Sequence, residues 1–237
     1  MFCDHRWTDR LKAVVIDIDG TLTDEKRRLS CGAAEAIRNN EIPVILASGN
    51  ILCFVKCASK LIGASDIMIA ENGGVISMGY DGSVYVKGDK ERCKNAFNLL
   101  KHHLELEELD GSLRKSELAL RRNFDIQSAR DILVKEGIHD IEIVDTGFAV
   151  HIKTTEVNKG TGLAQVAALM KTDPKDFAAI GDSANDIEML KVAGLGFAVA
   201  NAHPDLKDVA DHVTSDSYGK GAIEALEYIR KMNKRKI

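Results

Sequence analysis

After a polar start, the chain runs into an unbroken apolar stretch, Ala13-Val14-Val15-Ile16, and similar stretches recur along its length. Four apolar, mostly β-branched residues in a row predict a strand buried on both faces, as in a parallel sheet. Ile42–Ala47, Asp66–Ala70, Phe177–Ile180, Gly196–Val199 and His212–Thr214 read the same way, with Pro43 near a strand start, where proline is tolerated. Between these runs the apolar spacing lengthens to the helical period. It predicts one helix from an N-cap at Ser30 to Asn39, and others over Ile51–Ile62, near Lys159–Met170, near Asn185–Val192 and over Ala222–Met232. A further short helix precedes His212. Gly79-Tyr80-Asp81-Gly82 has hairpin chemistry between Val75–Met78 and Ser83–Lys87. Strands alternating with helices predict an α/β, doubly wound, Rossmann-like parallel sheet.

The middle of the chain has a different pattern. Lys90–Leu109 reads as helical, Glu117–Arg122 as a strand and Ser128–Glu136 as helical. Ile141–Val144 and Phe148–Lys153 read as a strand pair across Asp145-Thr146-Gly147. This mixture predicts a small α+β module over residues 83–155, inserted into a core domain formed by residues 1–82 and 156–237. Arg114, Lys115, Arg121 and Arg122 make a basic group in the module, read first as solvated edge-strand charges.

Composition narrows the classes. The 237 residues are 45% hydrophobic and 29% charged, as in an ordinary soluble globular protein. A formal charge of −4 gives no basis for a nucleic-acid partner or an anionic membrane surface. No apolar run reaches transmembrane length, and the polar Met1–Arg10 is unlike a signal peptide. Five cysteines, at positions 3, 31, 53, 57 and 93, are odd in number and form no CxxC pair. Cys53 and Cys57 share a helical face and are read as small buried thiols rather than a metal site. The expectation is a cytoplasmic protein with a small-molecule partner, monomeric or homodimeric.

The candidate chemistry lies where strands end. The first strand runs into Asp17 and Asp19, and carboxylates are costly to bury without a compensating cation or donor. Gly20 and Thr21 then open a loop whose backbone N–H groups are suited to an anion. Phe177–Gly181 repeats the arrangement, running into Asp182 with Asp186 four residues on. Hard oxygen donors without clustered His or Cys suit Mg²⁺ rather than Zn²⁺. Ligands of open parallel sheets bind beyond the carboxyl ends of the strands, where Asp17, Asp19, Ser48 and Asp182 would converge with Lys159. Taken singly, each has a plain structural reading. Asp-x-Asp serves loop solvation, Ser48-Gly49 a turn, Lys159 the surface, and Asp182 with Asp186 a helix dipole. Their joint placement at element ends favours one shared site.

In that order, Asp17-x-Asp19-Gly20-Thr21, Ser48-Gly49, Lys159 and Gly181-Asp182-x-x-x-Asp186 resemble the four motifs of the haloacid dehalogenase superfamily. The inserted module, between the second and third motifs, resembles a C2-type cap. Glu71-Asn72-Gly73-Gly74, Ser48-Gly49-Asn50 and Asp216-Ser217-Tyr218-Gly219, with the small cap, are similar to the archaeal phosphoglycolate phosphatase branch. The resemblance implies Mg²⁺-dependent hydrolysis of a small phosphomonoester, 2-phosphoglycolate, through an aspartyl-phosphate. It makes Asp17 the nucleophile and Asp19 the general acid/base, the latter offering Mg²⁺ its backbone carbonyl. Ser48 and Lys159 would complete the catalytic set. Asp182 and Asp186 would join Asp17 and Asp19 at the metal, and Gly20, Thr21, Ser48, Gly49, Lys159 and Asn185 would hold the phosphate. For that branch a cap arginine would suit the substrate carboxylate. A sugar-phosphate phosphatase or phosphomutase would use the same Asp17 chemistry, although a mutase asks for a larger, more basic cap. A phospho-receiver module is about half this length and has no inserted module. Dehalogenation has no need of Asp19 as a proton donor to a leaving group.

Overall fold

The first apolar run folds as expected: β1 (Ala13–Asp17) is buried at all five positions. The structure, a computed structural model, describes residues 11–234. Cys3, Trp7 and the segment Met1–Arg10 lie outside the described residues. From β1 the chain forms α1 (Cys31–Arg38), β2 (Val44–Ala47), α2 (Leu52–Ile62), β3 (Ile67–Ala70), β4 (Val75–Met78) and β5 (Ser83–Val86). Next come α3 (Lys90–Leu100), β6 (Glu108–Leu109), β7 (Leu118–Leu120), α4 (Ile126–Lys135), β8 (Ile141–Asp145) and β9 (Val150–Thr154). The chain then makes α5 (Lys159–Leu169), β10 (Phe177–Gly181), α6 (Ile187–Val192), β11 (Leu195–Ala198), α7 (Pro204–Val209), β12 (His212–Val213) and α8 (Tyr218–Lys234).

Two sheets result. The larger has eight strands in the order β12-β11-β10-β1-β2-β3-β4-β5, parallel from β12 to β3, with β4 and β5 antiparallel at one edge. Helices α1, α2 and α8 contact one another on one side, and α5, α6 and α7 on the other, which is the doubly wound α/β arrangement. The smaller sheet, β6-β7-β9-β8, is antiparallel and packs with α3 and α4 around its own apolar cluster of Cys93, Phe97, Leu118, Leu133, Ile143 and Ile152. The residues expected to open the inserted module, β5, are hydrogen-bonded to β4 in the larger sheet. The smaller sheet begins only at β6. Among the described residues no helix is long and apolar enough to cross a membrane.

Two local expectations differ from the structure. The helix expected over Lys90–Leu109 stops at Leu100, and Glu108 and Leu109 pair with Leu120 and Ala119 of β7. Glu105, Glu107 and Glu108 would crowd negative charge at a helix C-terminus. Leu104 and Leu106 instead pack against the smaller core at the period of two. Cys53 and Cys57, expected to be buried, are exposed. They do share a face of α2, but the face it buries is that of Leu52, Val55, Ser59 and Ile62.

The chain enters the larger sheet at β1 and builds outward on both sides, so strand order reverses between β10 and β1. A crevice at such a switch point is the preferred ligand site of open α/β sheets.

Candidate active site

Asp17 ends β1, Ser48 follows β2 and Asp182 follows β10, so three neighbouring parallel strands deliver them to that crevice. Lys159 is the first residue of α5 and is held there by a capping box. Asn158 Oδ1 accepts from Thr161 N at 2.8 Å, and Thr161 Oγ1 accepts from Asn158 N at 3.1 Å. Gly73 lets the preceding turn approach this helix start, because a Cβ there would lie 2.0 Å from the Asn158 carbonyl oxygen. Lys159 Nζ donates to Asp17 Oδ1 and to Asp186 Oδ1, each at 2.6 Å. Carboxylate oxygens of Asp17, Asp182 and Asp186 lie within 4.8 Å of one another.

Three clustered carboxylates and one buried ammonium, which pairs with Asp17 and Asp186, leave two negative charges uncompensated. Burial first, and then the Asp186 and Asp182 charges, push the Asp17 carboxyl well above its ordinary value, against the pull of Lys159. Burial and the Asp186 charge likewise push Asp182 up to about 7. Burial would lower the Lys159 ammonium, but Asp17 and Asp186 outweigh it and hold the group firmly charged. The buried Asp17 Oδ2 has no hydrogen-bonding partner among the described residues. All-oxygen donors, two missing positive charges and an orphaned carboxylate oxygen fit a hard divalent cation. Asp186 has less to offer it directly. Its Oδ2 accepts from the Asp182 and Ser183 backbone N–H groups at 3.1 Å, so both of its oxygens are engaged by the protein.

The loop after β1 makes room for the second acid cluster. Gly20 takes φ of 88°, and a Cβ there would stand 2.2 Å from Asp182 Oδ2. Thr21 Oγ1 donates to Asp182 Oδ1 at 3.1 Å. Asp19, expected at the metal through its backbone, keeps its carboxylate outside the cluster. There it accepts from Arg27 Nε at 2.8 Å and Asn50 Nδ2 at 2.6 Å. Ser48 Oγ is buried and accepts from Asn50 N at 3.0 Å. Asn185 lines the same cavity, with its Nδ2 donating to Asn72 Oδ1 at 3.0 Å.

The crevice is a cavity of about 130 Å³ whose far wall comes from the smaller sheet and its connections, through Leu109, Arg114, Ala119, Phe148 and His151. Arg27, Asn50, Asn72, Glu117 and His151 are additions to the expected set. Asn72 and Asn50 sit in phrases that carry the family resemblance, whereas only topology brings His151 and Glu117 to the site. Of the basic group, Arg121 and Arg122 are exposed and paired with Glu107 and Asp145, as solvated edge charges are. Arg114 alone of the four lines the cavity.

Comparison with known proteins agrees with this geometry. The family model described as haloacid dehalogenase-like hydrolase matches residues 14–113 and 115–226. The chain belongs to that hydrolase family. It is 53% identical over 218 residues to a phosphoglycolate phosphatase of Methanococcoides burtonii, covering 92% of this chain and 96% of the relative. A phosphoglycolate phosphatase of Archaeoglobus fulgidus is 52% identical over the same shares of both chains. A crystal structure from Thermoplasma acidophilum superposes with a TM-score of 0.84 at 24% identity, covering 93% of this chain and 99% of its own. It bears on the fold alone.

Proposed function

We propose that this protein is a Mg²⁺-dependent phosphomonoesterase that converts 2-phosphoglycolate to glycolate and phosphate through a phosphoaspartyl intermediate on Asp17. The observation that carries the reading is the buried cluster of Asp17, Asp182, Asp186 and Lys159 at the switch point. Relatives named phosphoglycolate phosphatase, about half identical over nearly the whole chain, support the substrate. The cavity supports it as well, being small beside the roughly 300–1,000 Å³ typical of drug-sized ligands. A bisphosphorylated sugar would need more space and more positive charge.

In this reading Asp17 attacks phosphorus in line with the departing alkoxide. Its Oδ1 is held by Lys159, whose charge also opposes that building on the phosphoryl oxygens. Asp17, Asp182 and Asp186, with the backbone of Asp19, would hold Mg²⁺, which when bound supplies the missing positive charge and withdraws electron density from the phosphoryl group. Asp19, half-buried at the cavity wall, gives its proton to the leaving oxygen and then takes one from the water that opens the phosphoaspartate. Ser48, Asn185 and the backbone from Gly20 to Thr21 and at Gly49 receive the phosphoryl oxygens. The cysteines of the described residues are free, which supports a reducing, cytoplasmic setting.

The test is phosphate release from a panel of metabolites with Mg²⁺, including glycolate, sugar and nucleotide phosphates. The expected outcome is the highest kcat/KM on 2-phosphoglycolate. Preference for a sugar phosphate would transfer the substrate assignment, and a blank panel would remove the enzyme reading.

A further inference from the structure

Three buried side-chain atoms among the described residues lack a hydrogen-bonding partner: Asp17 Oδ2, Thr154 Oγ1 and Arg114 Nε. Two of the three belong to residues that line the cavity, one an acceptor and the other a charged donor. Asp17 Oδ2 has an occupant in the reading above. Arg114 Nε has none, and a buried charged donor left without a partner is costly enough to call for one.

The surroundings of Arg114 hold it in place. Its side chain is 4% exposed, and its Nη1 donates to the Gly49 carbonyl oxygen at 3.0 Å and to Glu117 Oε1 at 2.5 Å. Glu117 is fully buried and also accepts from His151 Nδ1 at 2.7 Å and from Asn72 Nδ2 at 3.0 Å. Burial alone would raise the Glu117 carboxyl, but His151, Arg114 and Asn72 together hold it below its ordinary value, so it stays a fixed anion. Glu71 secures the adjoining backbone, its Oε2 accepting from Lys115 N at 2.9 Å and from Ser116 N at 2.8 Å. The guanidinium is thus braced from one side, one residue away from Ser48, with part of its donor set unspent.

The rest of the wall indicates what would complete it. Leu109, Ala119, Phe148 and Ala149 form its apolar part, and Asp110, Thr146 and His151 its polar part beside the two arginines. Arg27, the other arginine on the wall, donates Nε to Asp19 and has a side chain 43% exposed, so its charge is screened by solvent where that of the buried Arg114 is not. A phosphoryl group seated at Asp17 and Ser48 would direct its ester carbon toward this mixed wall, in which Arg114 is the buried guanidinium. A guanidinium fork matches a carboxylate in two-pronged fashion.

We propose that Arg114 determines specificity by binding a carboxylate on the leaving group, and that Glu117 is the positioning residue that orients it. This deepens the phosphatase reading and rests on it. The substrate class is the phosphate ester of a short hydroxy acid.

The experiment measures kcat and KM, with Mg²⁺, for 2-phosphoglycolate and for 2-hydroxyethyl phosphate, in which a hydroxymethyl group replaces the carboxylate. The wild type is expected to prefer the acid by about 100-fold or more in kcat/KM, as sites built around a buried polar partner do. Arg114→Gln should lose about that factor on 2-phosphoglycolate, chiefly through KM, while its turnover of 2-hydroxyethyl phosphate stays within about 3-fold of wild type. That retained turnover also reports a folded protein. Arg114→Lys, which keeps the charge and loses the fork, should discriminate to an intermediate degree. Glu117→Gln should raise KM for the acid alone.

Parallel loss on both esters in Arg114→Lys, or full discrimination in Arg114→Gln, would overturn the assignment. A wild type that hydrolyses both esters equally well would refute the carboxylate role and leave the phosphatase reading standing. A wild type inactive on both and on the wider panel would remove that reading and this inference with it.

Discussion

Lys159 Nζ lies 2.6 Å from Asp17 Oδ1 across a separation of 142 residues, and the lysine side chain is 1% exposed. A buried ammonium persists only where carboxylates face it, and this one faces two. It holds the carboxylate proposed to attack from one side, which leaves Oδ2 for the proposed cation. Replacing Lys159 with Met keeps much of the side-chain volume and removes the charge. We expect kcat to fall by about 100- to 1,000-fold, the scale of losing one preorganised electrostatic group. Thermal melts in EDTA should also show a lower Tm, because Asp17 and Asp186 lose their cation. Near-wild-type turnover in Lys159→Met would sink the role assigned to this pair.

The parts of this site legible in the sequence are those that local chemistry forces. An apolar strand ending in Asp17, or in Asp182, shows in the sequence because the strand and its terminal acid are contiguous. Ser48-Gly49 and Lys159 become meaningful only when the parallel sheet brings their elements together, and the alternation of runs foretold that sheet. Glu117 and His151 were not legible. Each sits in an ordinary-looking strand segment, and they meet Asn72 only through the packing of the smaller sheet on the larger. The exposure of Cys53 and Cys57 is not legible because residue spacing shows which positions share a face and not which face is buried. The end of α3 is not legible because leucines run on past Leu100 at a period that changes within a few residues.

In the proposed mechanism Asp17 and Asp19 divide the chemistry, and a substrate with a good leaving group would separate their parts. p-Nitrophenyl phosphate needs no proton donor for its phenolate, so Asp19→Asn should form the phosphoaspartate readily and hydrolyse it slowly. Rapid-mixing measurements should show a burst of nitrophenolate about equal to the enzyme concentration, followed by a steady rate about 100- to 10,000-fold below wild type. Asp17→Asn should give neither burst nor turnover. A wild-type steady rate in Asp19→Asn would contradict its role in the second half-reaction.

Glu71 ties the larger sheet to the segment that carries Arg114 and Glu117. Its carboxylate accepts from the Lys115 and Ser116 backbone N–H groups and from Ser116 Oγ at 2.8 Å. Glu71→Ala strands several donors, Ser116 among them in a buried position, and each buried donor left unmet costs about 1–3 kcal/mol. We expect a loss of about 3 kcal/mol in a urea melt. Tm should fall by about 2–4 °C per kcal/mol for a chain of this size. The rise in KM for 2-phosphoglycolate should exceed any change in kcat, since the variant loosens the wall and leaves Asp17 in place. Unchanged stability would mean that the clamp contributes nothing.

Asp182 gives a test of the proposed cation site that requires no substrate. Its folded value of about 7 lies above the ordinary 3.8, so between those values the metal-free folded protein holds a proton that the unfolded chain has released. Stability of the metal-free protein should therefore be greatest below about pH 4 for this group and decline as pH rises through 7, by at most about 1.4 kcal/mol per pH unit. Asp17, raised in the same direction, adds to the decline. Asp17, Asp182 and Asp186 would hold Mg²⁺ in their ionised forms, so under the proposed reading the stabilising effect of Mg²⁺ should grow with pH. Melts at pH 5, 6, 7 and 8 in EDTA and in Mg²⁺ should show curves that diverge toward pH 8, with a shallower EDTA slope in Asp182→Asn. A Mg²⁺-induced shift in Tm of equal size at pH 5 and pH 8 would place the cation elsewhere than on these carboxylates.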